Sequence, residues 1–164
     1  MITRFSKDWD LYFIGLAEYI SKRSKDNSTK VGAVIVNASK IILATGYNGF
    51  PQKLKDNPID LDNRERKYAR ILHAELNSII FSKQDLTDCI IYTYPFLSCA
   101  NCTKAIIQSG ITRIVTLKMD ESSERYQRWK ADFDISREMY SEAGIEVIEY
   151  ESAEIKNVVA EHLK

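Results

Sequence analysis

The residues with the most chemistry in this chain are His73 and Glu75, two positions apart, and Cys99 and Cys102, three positions apart. Two cysteines at i and i+3 at the start of a helix point to the same side, so both sulfurs can reach a single ion. A helix N-terminus favours thiolate over thiol, and the thiolate is the form that binds a metal. One imidazole and two thiolates make three ligands, the number a catalytic zinc uses when its fourth position is kept for water. Such an ion lowers the pKa of its bound water towards neutrality. The expected arrangement is one zinc per chain on His73, Cys99 and Cys102, with Glu75 outside the ligand count and free to move protons.

Blander readings compete. A lone C-x-x-C is also a redox motif or half of a structural zinc site. A structural site takes four protein ligands, and the chain holds only two histidines and three cysteines. Of the remainder, Cys89 stands at a strand start, where a free cysteine fills core space, and His162 belongs to a polar tail, where a solvated side chain is expected. A non-catalytic module that kept zinc for structure or effector binding would have no use for Glu75. H-x-E followed by C-x-x-C is the pattern of the zinc deaminases, in which the glutamate is not a ligand.

The 164 residues suit a single domain, 1–164, with a core that needs no disulfide. The 23 Lys and Arg balance the 23 Asp and Glu. A protein that grips a nucleic-acid polymer usually carries a basic excess, whereas a small nucleotide needs only a few local cations. No apolar run approaches the roughly 20 residues of a membrane span, and 1–10 lacks the character of a secretory signal. A cytoplasmic protein with reduced thiols is expected.

Periodicity and turn residues predict helices over 8–23, 71–81, 99–108, 129–143 and 152–163. They predict strands over 31–36, 41–45, 90–94, 114–117 and 145–148, the first two joined by a tight turn at 37–40. A polar connection covers 46–62, and Gly144 ends the fourth helix. Strands alternating with helices after an initial hairpin predict an α/β fold, a mixed sheet with helices on both faces.

Five blocks, RSKDNSTKVGAVIV from Arg23, TGYNGFP from Thr45, KYARILHAELNSI from Lys67, CANCTKAIIQSGI from Cys99 and RWKADFDISREMYSEAGIEV from Arg128, resemble the cytidine and deoxycytidylate deaminase family in order and spacing. The resemblance implies a three-layer α/β/α sandwich around a five-stranded mixed sheet. It implies a hydrolase that converts dCMP to dUMP and ammonia at a zinc held by His73, Cys99 and Cys102, with Glu75 as general acid and base. Asn48 would hydrogen-bond the sugar, and the backbone around Ala74 would meet the pyrimidine edge. A homo-oligomer, dimer or hexamer, is implied too, with Ile106, Ile107 and the 129–140 helix offering apolar surface. So is a dCTP effector with Mg²⁺ at the segment holding Gly46, Tyr47 and Gly49. Two cationic clusters are candidates for the phosphate of substrate or effector: Arg23 and Lys25 around Ser24, and Arg64, Arg66 and Lys67. The rival substrates are a nucleoside and an adenosine in tRNA. The tRNA enzymes differ around the motifs, with a Met-rich stretch after HAE and an Arg where Ser109-Gly110 stands here.

The chain departs from the family at Ser98, where Pro usually precedes the first cysteine. Serine is a favoured N-cap, so Ser98 is expected to accept a bond from the N–H of Asn101 in a somewhat looser loop.

Overall fold

The computed structural model describes residues 2–162, apart from the side chains of residues 159 and 162, so the expectation for His162 lies outside the described residues. Helix α1 (Lys7–Ser21) leads into a hairpin of β1 (Gly32–Val36) and β2 (Ile42–Tyr47). Asn37 builds the turn, its side-chain oxygen accepting from the N–H groups of Ser39 and Ile41. Then come α2 (Pro58–Asp62), α3 (Arg64–Arg70), α4 (Ala74–Ser82), β3 (Ile90–Tyr94), α5 (Ala100–Gln108), β4 (Arg113–Leu117), α6 (Glu124–Glu142), β5 (Glu146–Tyr150) and α7 (Ser152–His162). The five strands lie in the order β2-β1-β3-β4-β5. Strand β1 runs antiparallel to both neighbours, while β3, β4 and β5 are parallel. Parallel neighbours need crossovers, and α5 and α6 supply them.

Side-chain alternation along the strands divides the core into two layers. Val34, Val36, Ile90, Tyr92 and Val115 pack against Leu11, Phe13 and Ile14 of α1 and Ile155 of α7. Ala33, Ile35, Ile91 and Ile114 face the other way, against Ala74 of α4, Ile106 of α5 and Phe133 and Tyr140 of α6. The result is the expected three-layer arrangement. Among the described residues, no helix is long and apolar enough to cross a membrane.

Two glycines bring the outer layers unusually close to the hairpin. A Cβ at Gly32 would lie 2.0 Å from the carbonyl oxygen of Ala17 in α1. One at Gly46 would lie 2.3 Å from the carbonyl oxygen of Ala74 in α4. Helix α4 can therefore rest its first turn directly on β2.

The main departures of the fold from the sequence-based expectations are these. The segment 71–73 is extended rather than helical: Gly49 and Leu72 exchange N–H to carbonyl bonds of 2.8 and 3.0 Å, which holds the chain straight until His73. The connection 46–62 and the residues after it contain α2 and α3, started by Asn57 and Asn63, whose side chains accept from the N–H groups of Asp60 and Arg66. Helix α6 begins at Glu124, capped by Ser123, so it is more than a turn longer than predicted. Ile106 is fully buried and offers no surface for assembly, whereas Ile107 packs against the same core and is only half-buried.

Candidate metal centre and substrate cavity

His73 and Cys99 both occupy N-cap positions, of α4 and α5 respectively, with extended backbone. Two helix N-termini thus converge on one point, where the partial positive charge of each favours anionic ligands. His73 Nδ1 lies 3.4 Å from Cys99 Sγ and 3.3 Å from Cys102 Sγ, and all three ligand atoms fall within 4.8 Å of one another. Zinc bonds of about 2.3 Å to sulfur and 2.0–2.1 Å to nitrogen, at tetrahedral angles, separate N and S by about 3.6 Å. The donor set fits a zinc ion in identity, number and spacing.

The protonation pattern agrees. Hydrogen bonds from Cys102 and His73 hold the Cys99 thiol down at about 4, against the cost of burial. His73 is raised to about 9, chiefly by its bond to Cys99. Cys102 is pushed up by its hydrogen bond to Cys99 and by burial. A metal ion binds thiolates and neutral imidazole, so its binding to these three ligands releases protons.

Glu75, in the first turn of α4, is 4% exposed. Burial pushes its carboxyl up, and the positive charge on His73 offsets only part of the effect. It faces a cavity of about 480 Å³ whose lining includes His73 and Cys99. Phe96, Trp129 and Phe133 supply an aromatic wall, and Asn48 lines the same space. The Asn48 amide is directed at the 26–31 segment: its oxygen accepts from Val31 N–H at 2.8 Å, and its nitrogen donates to Thr29 O at 2.9 Å and to Asp26 at 3.4 Å. Ala74 is wholly buried under Gly46.

The structure separates the cationic candidates. Arg64 and Lys67 line the cavity; Arg23, Lys25 and Arg66 do not. Lys25 pairs with Asp56 at 2.7 Å, Arg66 pairs with the buried Asp60, and Arg23 is exposed. Ser24 is buried, its hydroxyl donating to the carbonyl of Asn48. Lys67, also buried, is held by Asp26 at 2.9 Å and Ser28 at 3.0 Å. Gly46 serves close packing, Gly49 pairs with Leu72, and the Tyr47 side chain is exposed away from the cavity lining.

Two cations at the cavity escaped the sequence reading. Arg125 and Arg128, on the first turns of α6, line it beside Trp129. Arg125 reaches across to the carbonyl of Ser28 at 3.3 Å. Their spacing to Trp129, i−4 and i−1, is a helical-face signal only once the helix is known to start at Glu124.

Ser98 does not cap α5. Cys99 takes that position, its sulfur accepting from Cys102 N–H at 3.5 Å, which leaves Ser98 one residue outside the helix. The Ser98 hydroxyl instead lies 2.6 Å from Tyr140 Oη and 2.9 Å from Thr103 Oγ1, in a fully buried setting. The loop is anchored, not loose.

Residues 7–118 match the model of the cytidine and deoxycytidylate deaminase zinc-binding region. An uncharacterized deaminase from the luxG 3′ region of Aliivibrio fischeri is 40% identical over 139 residues, covering 85% of this chain and 91% of that one. The deoxycytidylate deaminase of Mus musculus is 37% identical over 125 residues, 71% of this chain and 70% of the mouse protein. The crystal structure of the cyanophage S-TIM5 dCMP deaminase in complex with dCMP and dUMP shares the fold, with a TM-score of 0.67 at 22% identity over 90% of this chain and 100% of that one. With the ligand triad, the buried glutamate and a match over most of the chain, this protein belongs to the cytidine and deoxycytidylate deaminase family.

Proposed function

We propose that the chain, as one deaminase domain over residues 1–164, hydrolyses dCMP to dUMP and ammonia. The observation that carries the reading is Glu75, a carboxylate buried beside three metal donors whose set it does not complete, facing a cavity that also holds free cationic side chains. Zinc, when bound, supplies Lewis-acid activation of a water. Glu75 would take one proton from that water and deliver it to N3 of the pyrimidine as the oxygen bonds to C4. It would then take the proton of the new C4 hydroxyl and pass it to the amino group, so that the C4–N bond breaks, the carbonyl forms and ammonia leaves. A carboxyl raised by burial suits a group that must both take and give a proton near neutral pH. The backbone around Ala74 meets the pyrimidine edge. Asn48 Oδ1 has one protein donor, and its second lone pair is available to a sugar hydroxyl.

Arg64 and Arg128 take the 5′-phosphate. Both line the cavity, and among the described residues neither is engaged by a carboxylate: Arg64 donates to Tyr68 Oη at 3.2 Å and lies over the Tyr68 ring. The relatives at 36–37% identity that are deoxycytidylate deaminases support the same substrate. The reading extends to a cytoplasmic homo-oligomer, dimer or hexamer, for which exposed Ile80 and Phe81 on α4 offer apolar surface. It extends also to activation by dCTP with Mg²⁺. Light scattering and a dCTP titration of the rate test these two extensions.

The deciding experiment compares dCMP with deoxycytidine. A charge-assisted hydrogen bond contributes about 1.5–3 kcal/mol, or roughly 10- to 200-fold in kcat/KM if it is felt in the transition state. Arg128→Ala should lower kcat/KM for dCMP by that factor and leave deoxycytidine unchanged. Wild type turning over both equally would make this a nucleoside deaminase. Turnover of adenosine in a tRNA stem-loop, with dCMP inert, would replace the substrate altogether.

A further inference from the structure

The turn that carries both cysteines is tied to α6 by a series of hydrogen bonds that the proposed chemistry does not use. Asp132 Oδ2 accepts the N–H of Ala100 at 2.8 Å, at the first residue of α5. Ser136 Oγ donates to the carbonyl of Ser98 at 3.0 Å. Thr103 Oγ1 donates to the carbonyl of Cys99 at 2.9 Å. A hydroxyl has one hydrogen, so the Thr103 oxygen must accept from Ser98, and the Ser98 oxygen must then accept from Tyr140. The chain of donation runs one way, from Tyr140 through Ser98 and Thr103 to the backbone of the first cysteine ligand. Ser98, Thr103, Ser136 and Tyr140 are all fully buried.

Asp132, Ser136 and Tyr140 are spaced i, i+4 and i+8, so they form a single stripe along α6. The same helix carries Arg125, Arg128 and Trp129 to the cavity one to two turns earlier. Residues 130, 134 and 137 are occupied otherwise, in the ion pairs Lys130–Asp134 and Arg137–Glu149.

We propose that this stripe is the outer shell of the metal centre, and that Asp132, Ser136, Tyr140 and Ser98 are positioning residues that set how firmly the Cys99–Cys102 turn holds its ion. A proline at position 98 stiffens a turn through its ring and offers no hydroxyl. The serine here transmits the constraint from α6 through hydrogen bonds instead. Outer-shell partners orient the ligands and add charge, and losing one weakens metal binding by about 10- to 100-fold.

This inference rests on the zinc reading of His73, Cys99 and Cys102 but not on the identity of the substrate, so its test reads metal release. Zinc-loaded wild type, whose metal content is measured first, is mixed with excess colorimetric chelator and the release rate followed. Asp132→Asn keeps the shape and removes the charge, and should release zinc about 10-fold faster. Tyr140→Phe and Ser98→Ala should each speed release severalfold. Because they break one chain, the double variant should release no faster than Ser98→Ala alone. Asp134→Asn, on another face of α6, should match wild type. Release rates that stay at the wild-type value in Asp132→Asn and Tyr140→Phe, while thermal unfolding moves to lower temperature, would show a purely structural tie and overturn the proposal. So would additive effects of Tyr140→Phe and Ser98→Ala. If Tyr140→Phe fails to fold, Asp132→Asn and Ser98→Ala against Asp134→Asn still decide it. A wild type that binds no zinc would instead remove the metal reading itself.

Discussion

Two buried polar clusters in this molecule differ in what they leave over. On the α1 side of the sheet, Arg113 forms a two-pronged pair with Asp10, both bonds 2.8 Å long, and its Nε donates to Glu146 at 2.7 Å. Tyr92 and Tyr150 complete the node by donating to the same Asp10 carboxylate. Every charge there has a partner of the opposite sign, and none of them lines the cavity. At the metal centre, the donor atoms of His73, Cys99 and Cys102 crowd within 4.8 Å of one another, and the Glu75 carboxyl beside them faces a cavity. Burial is common to both, so burial does not mark function. What marks it is donor capacity that the protein itself does not close.

Breaking the open cluster should silence chemistry without unfolding the chain. Glu75→Gln keeps the zinc and the fold and lowers kcat by about 10²- to 10⁴-fold, checked by steady-state rates alongside metal content. A near wild-type rate would place the proton transfer elsewhere. Breaking the closed cluster should do the reverse. Asp10→Ala strands a buried guanidinium and costs about 3–5 kcal/mol in urea unfolding, while kcat per folded, zinc-bearing chain stays at the wild-type value. Gly46→Ala sits between the two outcomes. Its Cβ would collide with the backbone of Ala74, at the turn of α4 that bears Glu75 and follows His73. Overpacking of this kind costs about 1–3 kcal/mol, and here the rate should fall further than unfolding measurements alone would imply. The smallest effect belongs to Lys130→Ala, which removes an exposed i, i+4 pair with Asp134. It should change stability by no more than about 0.5 kcal/mol and leave both clusters intact.

The ligands and the glutamate beside them were legible because they depend on short spacings: His73 and Glu75 two positions apart, and two cysteines about one turn apart. Strand β3 was read residue for residue, since Ile90 to Tyr94 is β-rich and bounded by a turn before and Pro95 after. Helix α3 was not legible from periodicity, because Arg64–Arg70 is almost wholly polar. Its signal is the cap Asn63, as Asn57 before Pro58 is the signal of α2, and a search for apolar stripes passes over both. Arg125 and Arg128 were missed for a related reason. The apolar pattern of α6 becomes clear only from Trp129, while Ser123 starts the helix through a side-chain bond to Tyr126 N–H. The role of Ser98 is not legible locally, because its partner Tyr140 stands 42 positions away, a distance no local rule spans.

The N-cap role of His73 reaches past ligation. An N-cap side chain ordinarily accepts from the free amides of the first turn, but His73 makes no such bond, and its ring is turned to the cysteine sulfurs. Those amides rely for stability on whatever holds the ring in place. Hydrogen exchange at the start of α4 should therefore slow when the ion is bound, so that the backbone of the helix bearing Glu75 records occupancy of the centre at its N-cap.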